Sequence, residues 1–208
     1  MINILCFGDS NTFGSNPAGG RHPRDVRWPG RLQELLGPDY YVIEEGMGGR
    51  TTVHDDPFEP DRCGRTYLPV ALRSHAPLDL VILSLGTNDC KSHFHLNPAL
   101  VARGADILCE MIETYPYHCG GTPKILLVSP IEMGDDLSRC PFESFDQESV
   151  ACTKALAPYF ERVARRHGCL FLDAAKVAKA GADQLHMEAE GHRALAEALC
   201  GMIQKEFA

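Results

Sequence analysis

The sequence has no long apolar run, no excess of positive charge and no paired cysteine motif, and each absence excludes a class of protein. No apolar stretch approaches the ~18 residues that a membrane span needs, so the sequence predicts no transmembrane helix. Aspartate and glutamate number 28 against 20 lysines and arginines, which gives a formal net charge of -8. A chain with this charge carries no electrostatic footprint for nucleic acid and is not attracted to anionic membranes. We therefore expect neither nucleic acid nor a membrane as a partner.

Cysteines are frequent but scattered along the chain. All nine stand singly and none forms a Cys-x-x-Cys pair, so the sequence lacks a cysteine signature for zinc. Several fall in apolar runs, where a free cysteine behaves as a small buried hydrophobe. The N-terminus has neither a basic region nor a long apolar region, so it does not resemble a signal peptide. These features favour a reducing, cytoplasmic location, and we expect no bound metal and no cofactor.

The alternation of strand-like and helix-like segments indicates an α/β fold. A hydrophobic content of 44% and a charged content of 23% are globular values, and 208 residues most simply form one domain, spanning 1–208. We expect a three-layer, flavodoxin-like arrangement, in which a mostly parallel five-stranded sheet in the order 2-1-3-4-5 carries helices on both faces. The predicted strands are 2–7, 40–45, 78–85, 124–128 and 169–172, and the predicted helices are 29–36, 67–74, 98–115, one from a capping box at 144–147 to about 167, and one from 188 onward.

The stretch from Cys6 to Gly14 has the composition of a nucleophile turn. Ser10 comes just after the first predicted strand, and Gly8 and Gly14 stand on either side of it. Because glycine has no Cβ to block a positive φ or the close approach of a substrate, Ser10 can stand exposed on a sharp turn, as a nucleophilic serine must. The same residue types also form ordinary strand-to-helix turns, so this stretch alone does not decide between the two.

Polar residues also follow the other predicted strands, in segments 46–50, 86–89 and 183–186. In a parallel sheet every loop after a strand opens at the carboxyl edge, where ligands bind, so these segments are expected to meet Ser10. Asp183 and His186 are the only Asp-x-x-His pair in the chain. That spacing is common by chance, and it is the position between the last strand and the last helix that gives the pair its weight.

Together these residues suit the transfer of an acyl group from a small-molecule ester. The Ser10 hydroxyl would attack a carbonyl, a neutral His186 would take its proton, and Asp183 would hold the other ring nitrogen. The tetrahedral oxyanion needs hydrogen-bond donors, and the candidates are the Ser10 backbone N–H, the Gly49 backbone N–H and the Asn88 side-chain amide.

The four polar blocks resemble those of the SGNH (GDSL-type) hydrolases, and the resemblance covers nearly the whole chain. The matching blocks are Gly8-Asp9-Ser10, a glycine after strand two, Gly86-x-Asn88-Asp89 and Asp183-x-x-His186. Further segments resemble the bacterial arylesterase/acyltransferase branch: Asp25-Val-Arg-Trp28, Glu44-Glu45-Gly46, Arg50-Thr51-Thr52, Asp56-Pro57, Tyr67-Leu68-Pro69 and Pro77-Leu-Asp-Leu-Val81. The resemblance implies that Ser10 is the nucleophile, that Asp183 and His186 complete a triad, and that Gly49 and Asn88 are oxyanion donors.

The second block leaves a choice of glycine. Gly46, Gly48 and Gly49 are all available as the oxyanion donor. Gly49 is our choice because it directly precedes Arg50-Thr51-Thr52, as in the branch that the chain resembles.

The wall of the substrate pocket is less marked in the sequence. Asn11 stands where the family's namesake motif has leucine, and we expect it to alter the pocket wall. Trp28 and Phe94 are further candidates for substrate binding, although Trp28 is equally suited to packing at the start of a helix. His192, on the last predicted helix, is expected at the surface.

The resemblance implies a serine esterase of small aryl or alkyl esters that works through an acyl-enzyme and also passes the acyl group to alcohols. A carbohydrate acetyl esterase of the same family shares these blocks and stays open as an alternative. The alternative from another class is a non-catalytic flavodoxin-like module in which residues 8–14 cradle a phosphate. That module would leave Asn88, Asp183 and His186 without a role.

A long loop, 131–143, predicts an oligomer. The loop is too long to be a simple connection, and Phe142 and Phe145 stand at or just past its end. Apolar residues in such a loop usually meet a substrate or a partner subunit. Because the branch that the chain resembles tends to oligomerise, we expect a homo-oligomer.

Overall fold

A computed structural model describes all residues from Met1 to Ala208. Its centre is a five-stranded sheet in the order β2-β1-β3-β4-β5, and every neighbouring pair of strands is parallel. The predicted fold class and strand order are therefore confirmed. The strands are β1 (Ile2–Gly8), β2 (Tyr40–Gly46), β3 (Leu80–Ser84), β4 (Lys124–Ser129) and β5 (Leu170–Asp173).

Seven α-helices connect or flank the strands, and short 3₁₀ turns follow several strand ends. Two helix starts are fixed by local chemistry: Pro29 stands in the first turn of α2, and the Asn97 side chain accepts the Leu100 N–H at the start of α4. No helix is both long and apolar enough to cross a membrane. The helices are α1 (Ser10–Phe13), α2 (Trp28–Leu36), α3 (Gly64–His75), α4 (Pro98–Thr114), α5 (Gln147–Lys154), α6 (Ala157–His167) and α7 (Ala189–Glu206).

The sheet is buried on both faces, which explains the continuous apolar runs of its central strands. Side chains of a strand alternate between faces, so Leu5 and Phe7 of β1 join the core beneath α3, α4 and α6, while Ile4 and Cys6 join the core beneath α2 and α7. Truncating one such buried leucine or isoleucine to alanine costs about 2–5 kcal/mol of folding free energy. This packing makes the sheet a rigid base for the loops at its carboxyl edge.

The helix predicted to run to about 167 is in fact two helices. Pro158 has no N–H to donate to the carbonyl of Lys154, and its ring would clash with that carbonyl, so α5 ends at Lys154 and α6 begins at Ala157. The capping box is also displaced from 144–147: Asp146 and Ser149 exchange the capping hydrogen bonds at the start of α5. The short helix α1 was not predicted, because four residues are too few to show a period.

Candidate active site

Ser10 is the first residue of α1, and only Asp9 separates it from the end of β1. The Asp9 side chain caps this helix by accepting the Asn11 N–H at 3.0 Å. A Cβ on Gly8 would lie 2.0 Å from the Thr12 hydroxyl oxygen, so only glycine lets the helix fold back so closely on the strand. Gly14 ends the helix in the left-handed region, with φ of 87°. The sharp turn expected around Ser10 is therefore present, but Ser10 itself is only 7% exposed, so the expected exposure is wrong: the surrounding loops cover the turn.

Asp183 and His186 form a hydrogen-bonded pair in the loop before α7. Asp183 Oδ2 lies 2.6 Å from His186 Nδ1, and Asp183 Oδ1 accepts the backbone N–H groups of Leu185 at 3.0 Å and His186 at 2.8 Å. Burial acts to raise the pKa of Asp183, but the hydrogen bonds from His186 and from the two backbone groups outweigh it and hold that pKa below its ordinary value. An ionised Asp183 fixes the proton on Nδ1, which leaves Nε2 as an acceptor.

One open cavity of about 500 Å³ brings the five predicted site residues together. Its lining includes Ser10, Gly49, Asn88, Asp183 and His186. The structure has the Asp183–His186 hydrogen bond but no direct bond from the Ser10 hydroxyl to His186. Hydrogen bonds of this kind are often long in a ligand-free site and shorten when a substrate binds.

The three proposed oxyanion donors differ in how they are held. The Ser10 N–H belongs to the first turn of α1, where no intrahelical partner exists. Asn88 donates one amide hydrogen to the Arg50 carbonyl at 3.1 Å, which orients the side chain and leaves its second amide hydrogen available. Gly49 has a φ of 75°, and a Cβ there would lie 2.5 Å from a carboxylate oxygen of Glu59. The positive φ favours glycine at that position, whereas the Glu59 side chain could move away from a Cβ.

The two other glycines of the second block have different surroundings. A Cβ on Gly46 would lie 2.1 Å from the Phe13 nitrogen, so this glycine allows α1 to pack against the end of β2. Gly46 does not line the cavity, whereas Gly48 does, and a Cβ on Gly48 would meet nothing within 4 Å. Of the two glycines that line the cavity, only Gly49 has the positive φ that favours glycine.

Asp89 joins the loop of Gly49 to the loop of Asn88. Its carboxylate accepts the Thr52 backbone N–H at 2.9 Å and lies 3.1 Å from His54 Nδ1. The residue is fully buried, and these contacts hold the two donor loops in one relative position.

Charged side chains form one wall of the cavity. Glu59, Arg62 and Lys91 all line it. Lys91 is only 3% exposed, and its ammonium lies 2.8 Å from Asp56 and 3.1 Å from Glu59. Apart from Phe142 and Leu185, the lining consists of polar, charged, glycine and proline residues. The cavity is therefore suited to a ligand with polar groups around a small apolar part.

Phe142 is the aromatic residue in the small apolar part of the cavity lining. It comes from the long loop predicted over 131–143, and its ring stands edge-on to the His186 ring with centroids 5.4 Å apart. The Phe142 side chain keeps 38% of its surface exposed, and Pro141 lines the cavity beside it. The loop thus reaches the cavity mouth.

None of the three predicted substrate-binding residues lines this cavity. Trp28 is 1% exposed and belongs to the core beneath α2 and α7. Phe94 lies in the 3₁₀ turn Ser92–Phe94, where its ring packs against those of His54 and His93. Asn11 is buried and turns away from the cavity. The prediction that these three residues line the pocket is wrong, because residue type alone does not show which way a side chain points.

Asn11 instead holds the His186 loop against α1. Its side-chain oxygen accepts the Met187 N–H at 3.0 Å, and its amide nitrogen donates to the Leu185 carbonyl at 3.4 Å. These two contacts bracket His186 in the chain, while Asn11 itself directly follows Ser10. The sequence shows Asn11 as a departure from leucine, but it does not show that this residue links the two halves of the site.

Two buried histidines, His22 and His192, lie next to each other outside the cavity. His192 is 0% exposed and its Nδ1 accepts the Trp28 N–H at 3.3 Å, which corrects the expected surface position. Burial lowers the pKa of His192 to about 3, and the nearby His22 and His186 add to the effect. His192 is therefore neutral at physiological pH and acts as a packing residue.

Asp9 is the most perturbed acid of the site. Burial raises its pKa to about 6, despite the opposing effects of the Asn11 N–H, His186, Thr87 and Arg50. The Asp9 carboxylate caps α1 by accepting the Asn11 N–H, so its protonation state bears on the stability of the Ser10 turn.

Known proteins share this fold. The profile described as the GDSL-like Lipase/Acylhydrolase family matches residues 6–194. The structure is similar to the native aryl esterase of M. smegmatis, with a TM-score of 0.92, 36% sequence identity and 99% of each chain covered. It is also similar to Est24, a carbohydrate acetylesterase from Sinorhizobium meliloti, with a TM-score of 0.92, 34% identity and 99% of each chain covered. No curated protein sequence gives a significant match.

Proposed function

The chain belongs to the GDSL-like lipase/acylhydrolase family and is a carboxylic ester hydrolase, and we propose that it works through a triad of Ser10, His186 and Asp183. The observation that supports the proposal most directly is the Asp183–His186 pair, at 2.6 Å, in the same cavity as Ser10. A neutral His186 with its proton on Nδ1 has a free Nε2 to receive the Ser10 proton.

In the first half of the proposed reaction, Ser10 Oγ bonds to the ester carbonyl carbon while His186 Nε2 takes the hydroxyl proton. The tetrahedral intermediate then collapses, the bond to the alcohol oxygen breaks, and His186 returns the proton to that oxygen. In the second half, a water oxygen bonds to the acyl carbon while His186 Nε2 takes a proton from that water. The bond from the acyl carbon to Ser10 Oγ then breaks, His186 returns the proton to Oγ, and the acid leaves. Asp183 keeps its charge throughout and stabilises the imidazolium.

The Ser10 N–H, Gly49 N–H and Asn88 amide stabilise the oxyanion in this proposal. Asn88 is the donor that mutagenesis can remove, and losing one such donor typically lowers kcat about 10²- to 10³-fold. The hydrogen bond from Asn88 to the Arg50 carbonyl supports the assignment, because it fixes the amide before the reaction begins and so removes a reorganisation cost.

We also propose that a bound alcohol competes with water for the acyl group. Water is present at roughly 55 M, and positioned groups reach effective molarities of ~10⁵ M or more, so a modestly bound alcohol can compete. Phe142 and Pro141 at the cavity mouth supply an apolar surface next to His186, and each buried methylene of an alcohol contributes about 0.8 kcal/mol.

A second candidate function is hydrolysis of acetyl groups on carbohydrates. The largely polar and charged cavity wall favours it, because hydroxyl-rich substrates need many hydrogen-bond partners. The similar protein Est24 is named as a carbohydrate acetylesterase. Initial rates on acetylated xylose or glucose, compared with phenyl acetate at equal concentration, discriminate between the two, since a preference for the sugar esters would exclude the arylesterase assignment.

We further propose that the chain assembles into a homo-oligomer. Phe142 at the cavity mouth and Phe58, whose side chain is 71% exposed, support this idea because both leave apolar surface uncovered on the single chain. A subunit packed there would narrow the entrance to the cavity.

The nucleophile is tested by Ser10→Ala, with Ser74→Ala as a matched control. Ser74 lies on the exposed face of α3, outside the cavity. Ser10→Ala should lower kcat for p-nitrophenyl acetate by at least ~10³-fold without unfolding the chain, whereas Ser74→Ala should leave it unchanged. A folded Ser10→Ala variant with the original kcat would remove Ser10 from the mechanism.

A further inference from the structure

A pair of reduced thiols lies next to the candidate oxyanion loop, and neither takes part in the proposed reaction. Cys90 ends the 3₁₀ turn Asn88–Cys90, and Cys152 lies on α5. Their sulfur atoms are 3.3 Å apart, and the Cys90 thiol also lies 3.4 Å from the Gly86 carbonyl. We propose that these two cysteines form a modification site, at which a hydroperoxide joins them as a disulfide and thereby slows ester hydrolysis at the neighbouring Asn88.

The thiol pair can be reached by a small oxidant. A surface pocket of about 230 Å³, separate from the cavity of Ser10, is lined by both Cys90 and Cys152. Much of the lining of this pocket is polar, with Ser92, Asn97 and Glu148 among its residues. Hydrogen peroxide is a polar molecule not much larger than water, so a pocket of this size and character admits it.

The two sulfurs have distinct roles in the proposed reaction. The Cys90 thiol donates to the Cys152 sulfur, which lowers the pKa of Cys152, while its role as donor and its burial raise the pKa of Cys90. Cys152 is therefore the attacking thiolate: a sulfur–oxygen bond forms, the peroxide O–O bond breaks, and Cys152 becomes a sulfenic acid as hydroxide leaves. Cys90 then attacks the Cys152 sulfur and water leaves. In total, two thiols and one hydrogen peroxide give one disulfide and two waters.

The geometry connects this disulfide to the Asn88 amide. Contraction from 3.3 Å to the ~2.05 Å of a sulfur–sulfur bond requires an approach of about 1.2 Å. Cys90 lies two residues after Asn88 in the same single turn, so part of this movement reaches the side chain that donates to Arg50. A displacement near 1 Å in a positioned group can lower a rate by about 10²-fold.

A second thiol pair supplies an internal comparison. Cys109 of α4 is buried, and Cys169, just before β5, is partly buried. Their hydrogen bond raises the pKa of Cys109 and lowers that of Cys169. Neither residue lines the cavity of Ser10 or the pocket of Cys152. Oxidation there has no short path to Asn88.

The test is a titration of the reduced protein with hydrogen peroxide, followed by tryptic peptide mapping and p-nitrophenyl acetate kinetics. We expect a Cys90–Cys152 link with a loss of 2 Da per chain (roughly, two hydrogens), a fall in kcat/KM of about tenfold or more, and recovery with dithiothreitol. Cys152→Ser should start with the activity of the unaltered protein and resist this reversible loss, whereas Cys109→Ser should still show it.

Each other outcome counts against a defined part of the proposal. Oxidation that leaves Cys90 and Cys152 unlinked in the unaltered protein overturns the modification site, whether or not the variants fold. A quantitative link with unchanged kcat/KM overturns the effect on Asn88. The rate effect rests on the proposed function, but the peptide map does not. A linked protein whose activity never depended on Ser10 would therefore count against the proposed function and not against the disulfide.

Discussion

Asn11→Leu tests whether the link between the nucleophile turn and the His186 loop matters for catalysis. The substitution places in this chain the residue of the family's namesake motif. It removes the side-chain acceptor that lies 3.0 Å from the Met187 N–H and the weaker donor that lies 3.4 Å from the Leu185 carbonyl. Both backbone groups flank His186, so the substitution acts on the proposed base without touching the cavity.

The expected loss of stability depends mainly on the Met187 N–H, which loses its hydrogen-bond acceptor. A buried donor left without a partner costs about 1–3 kcal/mol, and the contact at 3.4 Å adds little because hydrogen bonds of that length are weak. We therefore expect the free energy of unfolding to fall by about 1–3 kcal/mol. If the His186 loop relaxes by about 1 Å, kcat should fall by ~10- to 10²-fold. KM should change little, because Asn11 does not line the cavity.

The assay is urea denaturation together with steady-state hydrolysis of p-nitrophenyl acetate. Asn3→Leu is the matched control, because Asn3 donates its amide to the Pro77 carbonyl at 3.0 Å near the start of β1, at the opposite edge of the sheet. The control should lose stability while keeping kcat. A folded Asn11→Leu variant with the kcat of the unaltered protein would refute the view that Asn11 positions His186.

Three further predictions follow from the site and the surface. Burial raises the pKa of Asp9 to about 6, so the folded state binds this proton more tightly than the unfolded chain does. The charged carboxylate therefore destabilises the fold above pH 6. This loss of folding free energy disappears as the pH falls toward 4. Asp9→Asn keeps an acceptor for the Asn11 N–H and should raise the free energy of unfolding by about 3 kcal/mol at pH 8, at ~1.4 kcal/mol per pKa unit. At pH 3.5 it should bring no such gain. Equal changes in the urea midpoint at both pH values would contradict this prediction. Vinyl acetate and benzyl alcohol in buffer should yield benzyl acetate beside acetic acid, and chromatography that found acetic acid alone would remove acyl transfer from the proposal. Light scattering at micromolar protein should give a multiple of the chain mass of 22.9 kDa, and a monomer mass would exclude the homo-oligomer.

The sheet and the site blocks could be predicted because their signals are local. A run such as Ile4 to Phe7, buried on both sheet faces, has to be apolar at every position, and the parallel topology then brings each post-strand loop to one edge. Gly8 and Gly49 also carry local signals, because a close contact at Gly8 and a positive φ at Gly49 restrict which residue can stand there.

The supporting contacts could not be predicted because they depend on which way a side chain points in the folded chain. Asn11 and His192 are polar residues that look suited to a pocket wall and a surface, yet both are buried and hydrogen-bonded to backbone groups more than 160 residues away. Trp28 was equally compatible with a pocket or a core. In contrast, the break between α5 and α6 had a local signal in Pro158 that the helical pattern of the flanking residues obscured.

Covalent labelling by a fluorophosphonate tests the central claim most directly, because the reagent reacts with a serine only when a neighbouring base and oxyanion donors activate it. The measurement is the intact mass of the labelled chain, with the site of the adduct found by peptide mapping. The proposed triad predicts one adduct per chain, on Ser10, formed in step with the loss of esterase activity and greatly slowed in His186→Ala. A folded, active protein that forms no adduct, or that forms it on a residue other than Ser10, would contradict the account.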